Sequence, residues 1–277
     1  MSGPRVAHYD SIAARYDRRY DIHEYAGVRE TLVGFVGESQ SILEVGCGTG
    51  HWLAALEADM KPSRGDAGHE PPAHDRRTNA VAVRVIAGVE PSTEMIARAH
   101  AAAPGACLVR GRAEALPWRD ASVDRVYCIN ALHHFSDRAQ FFAEARRVLK
   151  PGGALLTIGK DPHVERDSWW VYDYFPETLA IDRDRFARVR TLRGELTFAG
   201  FAWSESFEAD HVESAIAAAD ALATGIVDRA YTSQLTVLAA DEFAAGVARI
   251  READAAAGGE LRLAADFYLY ATVGRVA

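Results

Sequence analysis

Ser41-Ile42-Leu43-Glu44-Val45-Gly46-Cys47-Gly48-Thr49-Gly50 is the stretch whose reading decides the fold of this 277-residue chain. Ser41 to Val45 is a short apolar run bounded by a polar turn before it and glycines after it, the pattern of a buried parallel strand. Three glycines at alternate positions follow. His51 to Asp59 then has helical spacing, with Trp52, Leu53 and Leu56 able to share one face. Glycine permits a sharp turn and lets a ligand lie against main-chain N–H groups at a helix N-terminus. Taken alone, the pattern also fits a plain tight turn or a dinucleotide site.

Working outward, Val81 to Val89 reads as a second strand that ends in Gly88-Val89-Glu90-Pro91. A carboxylate at that strand end can accept hydrogen bonds from both hydroxyls of a ribose, and the usual gap from glycine turn to acid is about 20 residues. Here the gap is far longer, but Lys61 to Asn79 holds Pro62, Pro71, Pro72, Gly65 and Gly68 among charges, with almost no apolar anchor. It reads as an exposed insertion, and removing it brings the gap back close to that value. His69 and His74 within it are read as solvated loop residues, so no metal site is expected.

Ser92 is placed to cap a helix with Met95, Ile96 and Ala99 on its inner face. Strands are predicted at Cys107 to Val109, Val123 to Asn130 and Ala154 to Ile158. A helix at Phe141 to Leu149 is closed by Lys150-Pro151-Gly152-Gly153, since proline cannot continue it. Alternating strand and helix imply a parallel sheet with helices on both faces. Beyond Lys160 the text changes. Trp169, Trp170, Tyr172, Tyr174 and Phe175 crowd a charged stretch, and Phe186 to Phe201 reads as a helix. Ala202 to Val212 and Ala264 to Val273 read as strands, with an alanine-rich helical segment, Ser214 to Ala257, between them. At the other end, Val6 to Phe35 is mostly helical and repeats an aromatic–acid pair at Tyr9-Asp10, Tyr16-Asp17 and Tyr20-Asp21.

An apolar fraction of 49% with 25% charged residues is ordinary globular composition. A net charge of -8, with acids and bases interleaved, argues against nucleic acid as a partner. Cys47, Cys107 and Cys128 have no disulfide or zinc spacing, and Cys107 and Cys128 read as small buried thiols. With no signal core at the N-terminus and no run long enough to span a membrane, a cytoplasmic protein is expected.

Six stretches, Tyr9 to Tyr16, Ile42 to Gly50, Gly88 to Ala99, Gly111 to Trp118, Ser122 to Phe135 and Glu144 to Gly153, follow one another in order along residues 5 to 160. In that ordered set the chain resembles class I S-adenosylmethionine-dependent methyltransferases, in particular the small-molecule branch similar to ubiquinone and menaquinone methyltransferases. The resemblance implies a Rossmann-like, seven-stranded, mostly parallel sheet with helices on both faces and a helical cap insertion. It divides the chain into a cofactor-binding core, 1–160, and a part, 161–277, that completes the sheet and carries the cap at about 213–257. It implies S-adenosyl-L-methionine as cofactor, with S-adenosyl-L-homocysteine as product, and a small-molecule acceptor.

By position, the resemblance has Gly46, Gly48 and Gly50 turn under the methionine portion, with Glu44 orienting that turn or meeting the amino group through water. Glu90 holds the ribose, and Pro91 and Met95 pack near adenine. Ala113 and Glu114 line the adenine edge, where Arg112 stands in place of the family's frequent aspartate. Asn130 faces the methionine end through its carbonyl. Tyr16 is read either as closing over the ligand's carboxylate or as a core aromatic. His133 and His134 are candidate bases, His134 the preferred one, against an architectural His-His-Phe turn. The cap reads as a lid over the site, as a homodimer interface or as a plain surface layer. A non-catalytic S-adenosylmethionine-binding sensor or subunit is the alternative; a nicotinamide enzyme fits less well, because the spacing is Gly-x-Gly-x-Gly.

Overall fold

The computed structural model describes residues 9–60 and 84–277. Two short 3-10 helices, Tyr9–Ser11 and Ala13–Asp21, lead into α1 (Ala26–Val36) and then β1 (Ser41–Val45). Helix α2 (His51–Met60), β2 (Val85–Glu90), α3 (Thr93–Ala102) and β3 (Cys107–Arg110) follow. The insertion at 61–79, with His69 and His74, lies outside the described residues. Next come β4 (Val123–Ile129), α4 (Arg138–Val148) and β5 (Leu149–Gly159).

Strands β1 to β5 pair in parallel in the order β3-β2-β1-β4-β5. Side chains of β1 feed both faces: Ile42 enters one apolar cluster with Trp52, Leu53 and Leu56, while Leu43 and Val45 enter the other with Phe141, Phe142 and Ala145. That explains a nearly unbroken apolar run instead of an alternating one. At α3 the Ser92 hydroxyl accepts the Met95 N–H at 3.1 Å, which satisfies one of the orphan donors of the first turn. Met95 and Ala99 are buried and Ile96 half-buried.

The remaining chain completes the sheet and covers its end. After β5 come β6 (Ser168–Trp169), α5 (Trp170–Tyr174), α6 (Glu177–Arg185) and α7 (Val189–Phe198). Strand β7 (Trp203–Ala217) is followed by α8 (Ala218–Thr224), α9 (Ser233–Thr236), α10 (Ala240–Ala256) and β8 (Arg262–Arg275). Strand β8 runs antiparallel between β5 and β7, and the short β6 also pairs with it, so the sheet is seven main strands with a two-residue addition.

Three expectations are corrected. Residues 214–217 extend β7 instead of beginning a helix, because they pair in register with Leu263 to Ala265 and Arg262 of β8. The helix expected at Phe186 to Phe201 is shorter, and α6 precedes it, because Phe186 leaves helical geometry with its ring against His133. Cys107 is exposed, not buried: β3 is the sheet's edge strand, whereas Cys128 lies on the central β4 and is buried.

Candidate active site

The strand order reverses between β1 and β4, leaving a crevice beyond their carboxyl ends, the place where open α/β sheets hold ligands. A cavity of about 250 Å³ occupies it. Its floor begins at the glycine turn. Gly46 and Cys47 donate their N–H groups to the Val89 carbonyl at 2.8 and 3.2 Å, which fastens the turn to the end of β2. Gly46 has φ +75°, and a Cβ there would meet the Ala131 Cβ at 2.7 Å. Only glycine fits both the left-handed backbone and the contact. Glu90 clamps the same turn: its carboxylate accepts the Gly48 N–H at 3.1 Å and the Ser92 N–H at 2.9 Å.

Burial raises the pKa of Glu90, and burial pushes that of Glu44 well above the usual carboxylate range. Glu44 accepts the buried Tyr127 hydroxyl at 3.0 Å. Two desolvated acids below one cavity make it hospitable to hydroxyl donors and to a cation.

The walls contain most of the residues expected there. Glu44, Gly46, Gly48, Glu90, Pro91 and Met95 line the cavity, as do Arg112, Ala113, Glu114, Asn130, Tyr16 and His134. Gly50 does not. With φ +82°, it is the point where the turn meets α3, and a Cβ there would stand 2.9 Å from the Ala99 Cα. Glu114 lines the wall, but one carboxylate oxygen accepts from Ser136 N–H and Oγ, both at 2.7 Å, and from Asp137 N–H at 3.2 Å. Burial acts upward on its pKa and these bonds outweigh it, so the carboxyl is held below the ordinary value. Arg112 reaches Glu114 and the Ser136 hydroxyl. Asn130, at φ +50°, carries the left-handed kink that ends β4, a conformation asparagine tolerates better than most residues.

The N-terminal 3-10 helices form the cover, and there the aromatic–acid pairs divide their work. Tyr9 packs edge-on against Tyr16 at 5.5 Å and against His134 at 5.0 Å, and its hydroxyl is hydrogen-bonded to His134 Nε2. Tyr20 stacks on His51 at 3.5 Å. The acids tie the cover down: Asp17 accepts the Thr49 hydroxyl at 2.5 Å, and Asp10 accepts the Ser92 hydroxyl and the Glu94 N–H.

A second cavity, about 90 Å³, adjoins the first and shares Tyr16, Asn130 and His134 with it. Aromatic rings of Trp169, Trp170, Phe186 and Phe267 line it, with Lys160, Ser233 and Gln234 as polar members. His133 belongs to this cavity, stacked on Phe186 at 3.8 Å, with the Ser233 hydroxyl 3.4 Å from its Nε2. Among the described residues, no group of three His, Cys, Asp or Glu side chains is placed to hold a metal ion, and no helix is long and apolar enough to cross a membrane.

Comparison with known proteins gives this crevice a family. The methyltransferase domain family matches residues 74–157. A ubiquinone/menaquinone biosynthesis C-methyltransferase of Acidiphilium cryptum is 30% identical over 232 residues, covering 70% of this chain and 80% of that protein. The chain belongs to the class I S-adenosylmethionine-dependent methyltransferases. Solved methyltransferase-family structures share the fold. A protein named for an antibiotic biosynthesis pathway of Anabaena variabilis superposes with a TM-score of 0.65 at 22% identity, over 88% of this chain and 95% of that one. Phosphoethanolamine N-methyltransferase 2 of Haemonchus contortus, in complex with S-adenosyl-L-methionine, gives 0.57 at 14% identity, over 96% and 57%. Several other curated relatives are matched over only a quarter to a half of their own length.

The crevice fits the methyltransferase cofactor. A turn that excludes side chains, two buried acids and an apolar wall at Met95 and Ala113 are what a cationic, ribose-bearing, partly apolar ligand requires. Sequence reading passed over Asp17, Thr49, Tyr127 and Lys160. The repeated aromatic–acid pairs carried a signal for Asp17. For Lys160 the signal is a lone lysine directly after the buried strand end Thr157-Ile158-Gly159.

Proposed function

We propose that this methyltransferase acts on a small molecule bound in the aromatic second cavity, by in-line transfer governed mainly by positioning. The observation that carries the reading is the junction of the two cavities at Tyr16, Asn130 and His134. A binding module without catalysis has no use for a second cavity opening beside the first, so that alternative is less favoured.

When bound, S-adenosylmethionine supplies a methyl group already activated by its sulfonium. The protein's own work is then to hold, align and shield. Glu90 and the glycine turn would hold the ribose and the methionine portion, with Met95 and Ala113 beside the adenine. Tyr9, Tyr16 and Tyr20, fastened through Asp10 and Asp17, exclude water from above. Trp169, Trp170, Phe186 and Phe267 orient a flat, apolar acceptor. Alignment of this kind supplies ~7–11 kcal/mol of barrier reduction. His134, facing both cavities, is placed to take a proton from the acceptor; His133 lies behind it against Phe186. The quinone-pathway relative supports an aromatic acceptor here. We read the helices between β7 and β8 as the cap of that pocket, since Tyr231 to Gln234 line it.

The test is to incubate the protein with S-adenosylmethionine and fractionated small-molecule extracts. S-adenosylhomocysteine release is followed, and the methylated product is identified by mass spectrometry. Cofactor binding without turnover on any fraction would favour the non-catalytic module instead.

A further inference from the structure

One buried polar group of the second cavity makes no hydrogen bond among the described residues. Lys160 follows β5 directly, one strand over from Asn130, whose N–H donates to the Ile158 carbonyl at 2.8 Å. Lys160 is buried, and its Nζ has no hydrogen-bond partner among the described residues. Three rings surround it: Trp169 at 3.8 Å, Phe267 at 3.9 Å and Tyr172 at 4.5 Å from Nζ to centroid. Ring faces make a buried ammonium tolerable, but they do not replace oxygen acceptors for its three donors.

Neither nearby carboxylate bonds to it. Asp182 is engaged by the Tyr172 hydroxyl at 2.8 Å, Gln234 Nε2 at 2.7 Å and Arg185 at 2.6 Å. The Asp167 oxygens are buried without a hydrogen-bond partner among the described residues, with Arg166 Nε 3.9 Å away, and they act on Lys160 only through their charge. Burial brings the Lys160 amine down to about 7, while the charges of Asp182 and Asp167 act upward. An amine so poised gains its full charge when an anion arrives and can take a proton from a hydroxyl.

We propose that Lys160 is an acceptor-binding residue that receives an anionic oxygen, so that the methyl acceptor is a flat apolar molecule bearing a carboxylate or an acidic hydroxyl. The aromatic walls hold the body of such a molecule, and the ammonium holds its one charged edge. This rests on the second cavity being the acceptor pocket.

The test uses wild-type protein and Lys160→Met loaded with S-adenosylhomocysteine, and quenching of tryptophan fluorescence, since Trp169 and Trp170 line the cavity. The probes are 1-naphthoate, 1-naphthol and, as neutral control, 1-naphthalenemethanol. Wild type is expected to bind an acidic probe about tenfold or more tightly than the control, as a hydrogen bond to a charged group implies. Lys160→Met is expected to erase that preference, leaving control binding, S-adenosylhomocysteine affinity and melting temperature unchanged. Preference for 1-naphthoate assigns a carboxylate; preference for 1-naphthol assigns a hydroxyl. Equal binding of acids and control by wild type overturns the proposal without any variant, as does a preference that survives in Lys160→Met. Failure of wild type to bind S-adenosylhomocysteine overturns the methyltransferase reading beneath it.

Discussion

Replacing Glu90 with glutamine separates its two tasks. The carboxylate accepts the Gly48 and Ser92 N–H groups on its two oxygens. Glutamine keeps one oxygen and must turn its amide nitrogen toward one of those donors, so one bond is lost. A hydrogen bond to a charged acceptor contributes about 1.5–3 kcal/mol. Against this loss, the substitution removes a buried charge whose desolvation already raises the carboxyl pKa, so fold stability is expected to change little. The bound state is different. Two ribose hydroxyls that donate to an ionised carboxylate would face one neutral acceptor and one opposing donor, a loss of about 2–3 kcal/mol. That is roughly 30- to 150-fold in Kd. Titration calorimetry with S-adenosylhomocysteine measures it, alongside a thermal melt. The same logic gives a sign for pH. If Glu90 holds the ribose as proposed, binding needs its ionised form, so affinity for S-adenosylhomocysteine should fall as pH drops through its raised pKa, above the ordinary glutamate value of 4.5. A Glu90→Gln Kd within threefold of wild type, at unchanged melting temperature, would refute the reasoning.

Three other outcomes are expected. Gly50→Ala places a Cβ 2.9 Å from the Ala99 Cα on a left-handed backbone, so denaturant unfolding should show a loss of about 2–4 kcal/mol. Asp124, held by Lys150 and by Ser41 against the opposing effect of burial, has a carboxyl pKa of about 2. Asp124→Asn should therefore cost about 2 kcal/mol above pH 4, a cost that fades as acid takes wild type from pH 4 to pH 2 and protonates Asp124. His134→Ala should lower turnover while leaving the Kd for S-adenosylhomocysteine near wild type; unchanged turnover rejects His134 as a base.

The parallel half of the fold was readable because local signals and global constraints agree there. Buried strands such as Ile42 to Val45 bury apolar side chains on both faces, Glu44 apart, and each is followed by or ends in a glycine, acid or asparagine that turns the chain. Beyond Lys160 that agreement lapses. Residues 214–217 carry alanines that suit a helix, and only pairing with β8 makes them strand, a long-range decision that propensity does not encode. The same limit hid part of the second cavity. Trp169 stands in an aromatic stretch visible in the sequence and Gln234 in the segment read as cap, but Lys160, Phe186 and Phe267 join them from three other places in the chain, each unremarked by its own neighbours.

The distance from the glycine turn to Glu90 teaches the complementary lesson. Counted along the chain it is far too long, yet β1 and β2 pair Glu44 with Gly88 and Val45 with Val89, so the acid arrives beside the turn whatever lies between. Register is fixed by which faces the two strands bury, and a one-residue slip would turn Ile86 and Ala87 to the wrong clusters. Loop-closure cost grows only with the logarithm of length, about 0.6 kcal/mol per doubling. An insertion between α2 and β2 is therefore inexpensive as long as the register on either side holds. A spacing rule counted in residues is thus a proxy for a rule about strand pairing, and an acid at the end of the neighbouring strand satisfies the second even when it breaks the first.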